Sequence, residues 1–283
     1  MRVAVTGSTG KLGTATVERL RAGGHDVVGL DLVGRPGPEF TRVDLTDYGQ
    51  TLDAFLGITA RHRGLDAVVH LAAVPVNGLV PDVTTFHTNV TASFNVLHAA
   101  HRAGTRRVVC ASSITAMGFP FEEAPPHLPL DESCTAANNT YGLGKVVEEA
   151  LHAQFARWDR DLSLTALRFT NVVAPGEYGT FARAAEPDYR RDLLGSYVDA
   201  RDGAQAVDLA LSAGEPGAHL YVVAAPDSGH ADPSAELAAR WFPGTPLTRE
   251  LGEHESLLDT TRIRTRLGFA AAHRWREEFT PTP

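Results

Sequence analysis

Lysine is almost missing from this chain. Of its 26 basic side chains only two are lysine, Lys11 and Lys145, and the rest are arginine. Cysteine is equally scarce: Cys110 and Cys134 are too few for a disulfide framework or a zinc site and suit a reducing compartment. There is no basic surplus either. A formal net charge of −8 argues against nucleic acid or an anionic membrane as a partner. No apolar run is long enough to span a bilayer, and Val3-Ala4-Val5 opens a strand where a signal peptide would carry its charged region. These absences predict a cytoplasmic protein that holds no metal and whose partner is a small molecule. Repeats and linkers are lacking too, so the 283 residues are expected to form one unit.

What is present is alternation. Residues 2–6, 25–31, 41–43, 66–71, 106–112, 162–169 and 219–223 read as strands, most of them continuously apolar. Helical patterns over 11–22, 48–56, 83–102, 141–158 and 202–212 fall between them. Buried strands alternating with helices predict an α/β fold, a doubly wound parallel sheet covered on both faces. Residues 119–139, rich in Pro, Glu and Asn, are expected to be a surface loop near the site, and 171–196 to be irregular. The tail carries two short helical patterns, 233–241 and 255–267.

Thr6-Gly7-Ser8-Thr9-Gly10-Lys11-Leu12-Gly13 joins the first strand to the first helix. The first glycine permits a tight turn, the second lets a pyrophosphate approach the backbone, and the third lets helix and strand pack closely. The helix N-terminus then offers amide donors to phosphate. Asp31 ends the second strand, where it can accept both ribose hydroxyls of NAD and repel the 2′-phosphate of NADP. Arg35, close downstream, leaves that preference open. Lys11 reads as a solvent-facing residue at the helix start, because a Walker loop needs different spacing.

The second lysine stands in Tyr141-Gly142-Leu143-Gly144-Lys145. Four residues apart on a helix, the phenol and the ammonium share one face. A Lys⁺ beside a Tyr favours the phenolate, lowering a pKa that is ordinarily near 10. The pair is therefore a candidate general acid/base.

With these motifs in order, the chain resembles the extended short-chain dehydrogenase/reductase family, also called the NAD-dependent epimerase/dehydratase family. The resemblance covers nearly the whole length. It implies a Rossmann NAD-binding core over about 1–170 and 197–225, with a small substrate-binding lobe from about 171–196 and 226–283. Asp44-Leu45-Thr46-Asp47 resembles the segment near the adenine, and His70-Leu71-Ala72-Ala73 the strand end that lines the cofactor. Asn89 matches an Asn that stabilises the sheet, and Ala111-Ser112-Ser113 the Ser-rich strand end with Ser113 as the catalytic serine. Arg168-Phe169-Thr170-Asn171 resembles a run whose Asn meets substrate, and Tyr197-Val198-Asp199 a turn back into the core. Gly144 departs from the Ser common before the family's Lys.

The implied mechanism has Tyr141 exchanging a proton with a substrate oxygen that Ser113 also bonds, and Lys145 lowering the Tyr pKa while holding the nicotinamide ribose. The layout is nearest to uronate-dehydrogenase-like members, since only 25 residues separate Asn171 from Tyr197. That implies a small sugar, polyol or hydroxy compound, with Arg190 or Arg191 gripping a carboxylate. Pro75, Ile114 and Thr115 depart from that subtype and make the substrate side less polar. A net dehydrogenase is the leading expectation, an NAD-retaining sugar or nucleotide-sugar epimerase or dehydratase the alternative, and a non-catalytic NAD-binding regulator the third. The helices around Asn89 and Tyr141 are expected to form a homodimer interface through Val146, Val147, Ala150, Leu151, Phe155 and Trp158.

Overall fold

A computed structural model describes residues 1–58, 62–121 and 123–279. Its strands are β1 (Arg2–Thr6), β2 (Asp26–Asp31), β3 (Phe40–Arg42), β4 (Ala67–His70), β5 (Arg107–Ser113), β6 (Ser163–Phe169), β7 (Val172–Val173), β8 (Val198–Asp199) and β9 (Gly217–Val223). The helices are α1 (Lys11–Ala22), α2 (Tyr48–Leu56), α3 (Asp82–Ala103), α4 (Thr140–Trp158), α5 (Ala200–Ala213), α6 (Ser234–Trp241), α7 (Thr261–Leu267) and α8 (Trp275–Glu278).

Seven strands form one parallel sheet in the order β3-β2-β1-β4-β5-β6-β9, and β7 pairs with β8 apart from it. Alternate residues of each strand feed opposite faces. Val3 and Val5 join Leu20 of α1 and Val207 of α5 in one core, whereas Ala4 joins Phe55 of α2, Val96 of α3 and Phe155 of α4 in the other. The sheet is therefore wound on both sides. The chain leaves β1 toward β2 and β3 and then crosses back to β4. The C-terminal ends of β1 and β4 thus diverge, which opens a crevice at the switch point.

Two glycines shape that crevice. Gly7 has φ +65°, and a Cβ there would lie 2.7 Å from the Ala72 nitrogen beyond β4. A Cβ on Gly13 would lie 2.0 Å from the Gly7 carbonyl oxygen. The loop can wrap the start of α1 only without side chains at these positions.

Residues 119–139 are not a surface loop. Phe119, Phe121, Leu128 and Leu130 are buried with Trp241, Leu257 and Leu258 in a third core, under the C-terminal helices that make an extra lobe. Short bridges, Leu128 to Leu247 and Leu130 to Leu258, stitch the segment to the tail. The polar composition misled, because the few apolar residues are spaced to face inward. The tail pattern at 255–267 is likewise helical only over Thr261–Leu267, its first part being drawn out against Leu130. Residues 171–196 hold β7 and 3₁₀ turns at Pro175–Arg183 and Arg191–Leu193.

Arg168 ties these layers to the site. It is fully buried on β6, and each of its nitrogens donates. Nε and Nη2 reach the Glu149 carboxylate at 2.8 and 2.7 Å, Nη1 the carbonyls of Glu132 and Cys134, and Nη2 the Thr135 hydroxyl. Glu149 also accepts from Ser112. One guanidinium thereby fixes α4 to β5, β6 and the 119–139 segment. Removing one partner of such a buried pair costs about 3–5 kcal/mol.

Candidate active site

A cavity of about 850 Å³ occupies the crevice beyond the ends of β1, β4, β5 and β6. Every residue expected at the cofactor lines it, from Gly7, Thr9, Gly10, Lys11, Leu12 and Gly13 through Asp31, Asp44 and Leu45 to Lys145. The first turn of α1 has no side-chain cap, so its N–H groups are available to an anion at the cavity wall. Asp31 Oδ2 accepts from the Thr9 amide at 3.0 Å and the Thr9 hydroxyl at 2.8 Å, which fixes the glycine loop against β2. Arg35 is exposed and is not part of the lining.

Asn89 clamps the strand exit: its Oδ1 accepts from the Val74 amide at 2.8 Å and its Nδ2 donates to the Val74 carbonyl at 3.0 Å. It thereby holds Ala72, Ala73 and Pro75 at the wall. Lys11 is not simply solvent-facing. Its ammonium donates to the Val172 carbonyl at 3.0 Å and pairs with Glu177, which joins the glycine loop to the segment after β6.

Tyr141 stands in the first turn of α4, whose N-cap Asn139 accepts from the Gly142 amide at 2.8 Å. Gly142 lets that turn lie against the 3₁₀ turn at 114–117, since a Cβ on it would meet the Thr115 carbonyl oxygen at 2.6 Å. The Ser113 hydroxyl caps the same 3₁₀ turn by accepting from the Thr115 amide at 3.1 Å. Close approach of these two turns brings Ser113 and Tyr141 to one wall, and Thr115 adds a buried hydroxyl without a partner among the described residues.

Lys145 is buried behind the phenol, its ammonium 5.7 Å from the centre of the Tyr141 ring. It donates to the Ala111 carbonyl at 3.0 Å and to Glu148 Oε2 at 2.9 Å. An ammonium has three N–H donors, so one remains for a ligand hydroxyl. Lys145 lowers the Tyr141 pKa as expected, but it is not the largest influence on the phenol. Burial pushes the phenol up; Lys145 and a Ser113 hydrogen bond pull it down, and Glu148 pushes it up again. The balance lies above the ordinary value, because burial of the phenol, with a smaller contribution from Glu148, outweighs Lys145 and Ser113. Burial also disfavours the ammonium, but the Glu148 charge and hydrogen bond outweigh that and hold Lys145 protonated.

On the substrate side, Pro75, Ser113, Ile114, Thr115 and Asn171 line the cavity, together with Val76, Asn77, Pro120 and Leu193. Arg190 and Arg191 do not. Arg190 donates to the Asn171 side-chain oxygen and the Ser196 carbonyl and stacks over Phe181, whereas Arg191 lies over Phe242 and beside Asp192. Glu148 is the residue that sequence reasoning passed over. Its one signal was a carboxylate three residues after one of only two lysines.

Residues 3–224 match the model of the NAD dependent epimerase/dehydratase family. The UDP-glucose 4-epimerase of Mycolicibacterium smegmatis is 31% identical over 242 residues, covering 76% of this chain and 74% of that protein. That of Lacticaseibacillus casei is 28% identical over 202 residues, 66% of this chain and 56% of that protein. The chain spans only about half the length, 52% to 56%, of several such relatives. A crystal structure of a UDP-galactose 4-epimerase superposes with a TM-score of 0.70 at 26% identity, over 98% of this chain and 96% of the other. With the glycine loop, the sheet order and this match over most of its length, the chain belongs to the NAD dependent epimerase/dehydratase family.

Proposed function

We propose that this enzyme is an NAD-retaining epimerase or dehydratase of a sugar or nucleotide sugar, with Tyr141 as its acid/base. The observation that carries this reading is that Ser113, Tyr141 and Lys145 share a wall of the cavity that starts at the glycine loop and Asp31. NAD suits the residues present: uncapped amides at α1 for the pyrophosphate, Asp31 for the adenosine ribose, and the third Lys145 donor for the nicotinamide ribose. When bound, it supplies hydride transfer from and to a substrate carbon. The chain's own residues handle the oxygen. Ser113 bonds it, Tyr141 takes its proton on oxidation and returns it on reduction, and the Thr115 hydroxyl is placed to meet a second substrate group.

The choice of epimerase or dehydratase over net dehydrogenase, the leading expectation from sequence, rests on the character of the substrate end. Pro75, Val76, Ile114, Pro120 and Leu193 offer surface without directional bonds. A keto intermediate that must turn before its hydride returns is better served by such a wall than by a ring of hydrogen bonds. The relatives being UDP-sugar epimerases supports the same reading. Shortness no longer argues for a small substrate, because a UDP-galactose 4-epimerase is matched over 96% of its chain. The uronate-like reading draws no support from Arg190 or Arg191, which are engaged outside the cavity lining.

The test is a panel of free and nucleotide-linked sugars with the NAD-saturated protein, followed by product analysis. Isomerised or dehydrated sugar without net NADH is expected. NADH in step with product would indicate a dehydrogenase, and tight NAD binding without turnover a regulator. A homodimer through α3 and α4 belongs to the same proposal, supported by exposed Val83, Phe94, Leu143 and Trp158 on those helices. Phe155, expected at that interface, is instead buried in the core. Sedimentation equilibrium would test the dimer.

A further inference from the structure

Three side chains on one face of α4 meet the end of β5. Tyr141, Lys145 and Glu149 follow one another at four-residue spacing along the helix. Tyr141 shares the cavity wall with Ser113, and Lys145 donates to the Ala111 carbonyl at 3.0 Å. Glu149 Oε1 accepts from the Ser112 hydroxyl at 2.5 Å. The residue directly before Ser113 is thus tied to the helix that carries Tyr141.

The Glu149 end of that tie cannot swing. Arg168 holds both carboxylate oxygens, Nε donating to Oε1 at 2.8 Å and Nη2 to Oε2 at 2.7 Å. Such a bidentate pair fixes the plane of the carboxylate as well as its place. Arg168 in turn donates to the carbonyls of Glu132 and Cys134, and it stands beside Ser112 in the β5–β6 ladder. Its guanidinium already balances the carboxylate charge. What the Ser112 bond adds is a fixed separation of β5 and α4 at the site.

That separation matters because Ser113 ends β5, Tyr141 lies in the first turn of α4, and one substrate oxygen is to meet both hydroxyls. The chain between them runs through the 119–139 segment, so packing and not local backbone sets their distance. We infer that Ser112 is a positioning residue: its bond to Glu149 holds Ser113 at the distance from Tyr141 that the shared oxygen requires. The inference rests on the proposed roles of Ser113 and Tyr141. Ser112 also lines the cavity, but its single proton is committed to Glu149. It acts on Ser113, not on the substrate.

The test is Ser112→Ala in the full chain. The substitution strands no charge, because Glu149 keeps both bonds to Arg168, and the variant is expected to fold. The first readout is crystallographic and needs no turnover: the distance from Ser113 Oγ to Tyr141 Oη in NAD-bound wild type and variant. It is expected to lengthen by about half an ångström, which takes a hydroxyl–hydroxyl bond out of its preferred range. A distance unchanged within coordinate error overturns the inference, whatever the reaction proves to be.

The second readout uses the sugar of the panel that wild type converts best. Ser112→Ala is expected to lower kcat about tenfold, the scale of such a misplacement, with KM and NAD affinity held within about twofold. In a Ser113→Ala background the same change is expected to cost less than about twofold, since no hydroxyl is left to position. A merely structural role would cost the same in both backgrounds, and that equality overturns the inference. So does a marked fall in NAD affinity, which would make Ser112 a cofactor contact. A wild type that converts no sugar refutes the proposed reaction instead, and the measured distance then decides the role of Ser112 alone.

Discussion

Arg190 holds Asn171 by its side-chain carbonyl, Nη1 donating to Oδ1 at 3.0 Å. A guanidinium has no acceptor, so this bond fixes which way the amide faces. The Asn171 NH₂ is then the group available to the cavity that Asn171 lines. Arg190→Leu is expected to leave NAD affinity unchanged and raise the sugar KM two- to tenfold, the value of about 0.5–1.5 kcal/mol for one oriented hydrogen bond. Steady-state kinetics with NAD saturating checks it.

Gly142 and Gly144 stand two residues apart and are expected to respond in opposite senses. A Cβ on Gly144 would sit 3.8 Å from Phe86 Cδ2, an ordinary contact inside a helix. Gly144→Ala should therefore stabilise the fold by about 0.5–1 kcal/mol in urea unfolding. A Cβ on Gly142 would strike the Thr115 carbonyl oxygen at 2.6 Å. Gly142→Ala should push α4 away from the Ser113 turn and lower kcat more than it changes NAD affinity.

His152 is buried on α4 with neither ring nitrogen bonded to any of the described residues, and burial holds it at about 4, below its ordinary 6.5. The folded protein thus refuses a proton that the unfolded chain takes up below pH 6.5. The stability this gives is present above that pH and is lost as pH falls toward 4. His152→Leu is expected to remain as stable as wild type at pH 7 and to lose less stability between pH 6.5 and 4. Urea midpoints measured across that range decide the point; equal slopes for the two proteins would contradict it.

Lys11 and Glu177 form an exposed pair that joins the glycine loop to the segment after β6. Exposed pairs of this kind are worth about 0.2–1 kcal/mol. Lys11→Met is therefore expected to speed NAD release by at most about fivefold. A stopped-flow chase of bound NAD measures this, and a much larger change would mean that Lys11 holds the cofactor itself.

The sheet and the cofactor wall were legible because backbone requirements mark them in the sequence. Gly7 and Gly13 are needed where no Cβ fits, and Asp31 ends a strand directly after the uncharged run Val27-Val28-Gly29-Leu30. The 119–139 segment was not legible, since Phe119/Phe121 and Leu128/Leu130 are only two short alternating pairs among polar residues, and much of what buries them is a tail more than a hundred residues away. Glu148 was hidden for a related reason. On a helix it reads as a solvated residue, and only the packing of α3 and β4 shows that its side of α4 is interior. The net direction of the Tyr141 pKa was misjudged because burial of the phenol, its main cause, was equally hidden.

The most direct measurement follows the hydride. A substrate deuterated at the carbon that changes configuration or is oxidised is turned over many times by the NAD-saturated protein. The deuterium is then located by NMR and mass spectrometry. The account predicts deuterium retained in the sugar product, no deuterated NADH in solution, and no product from Tyr141→Phe with NAD affinity intact. Deuterium accumulating in free NADH in step with product, or an active Phe variant, would contradict it.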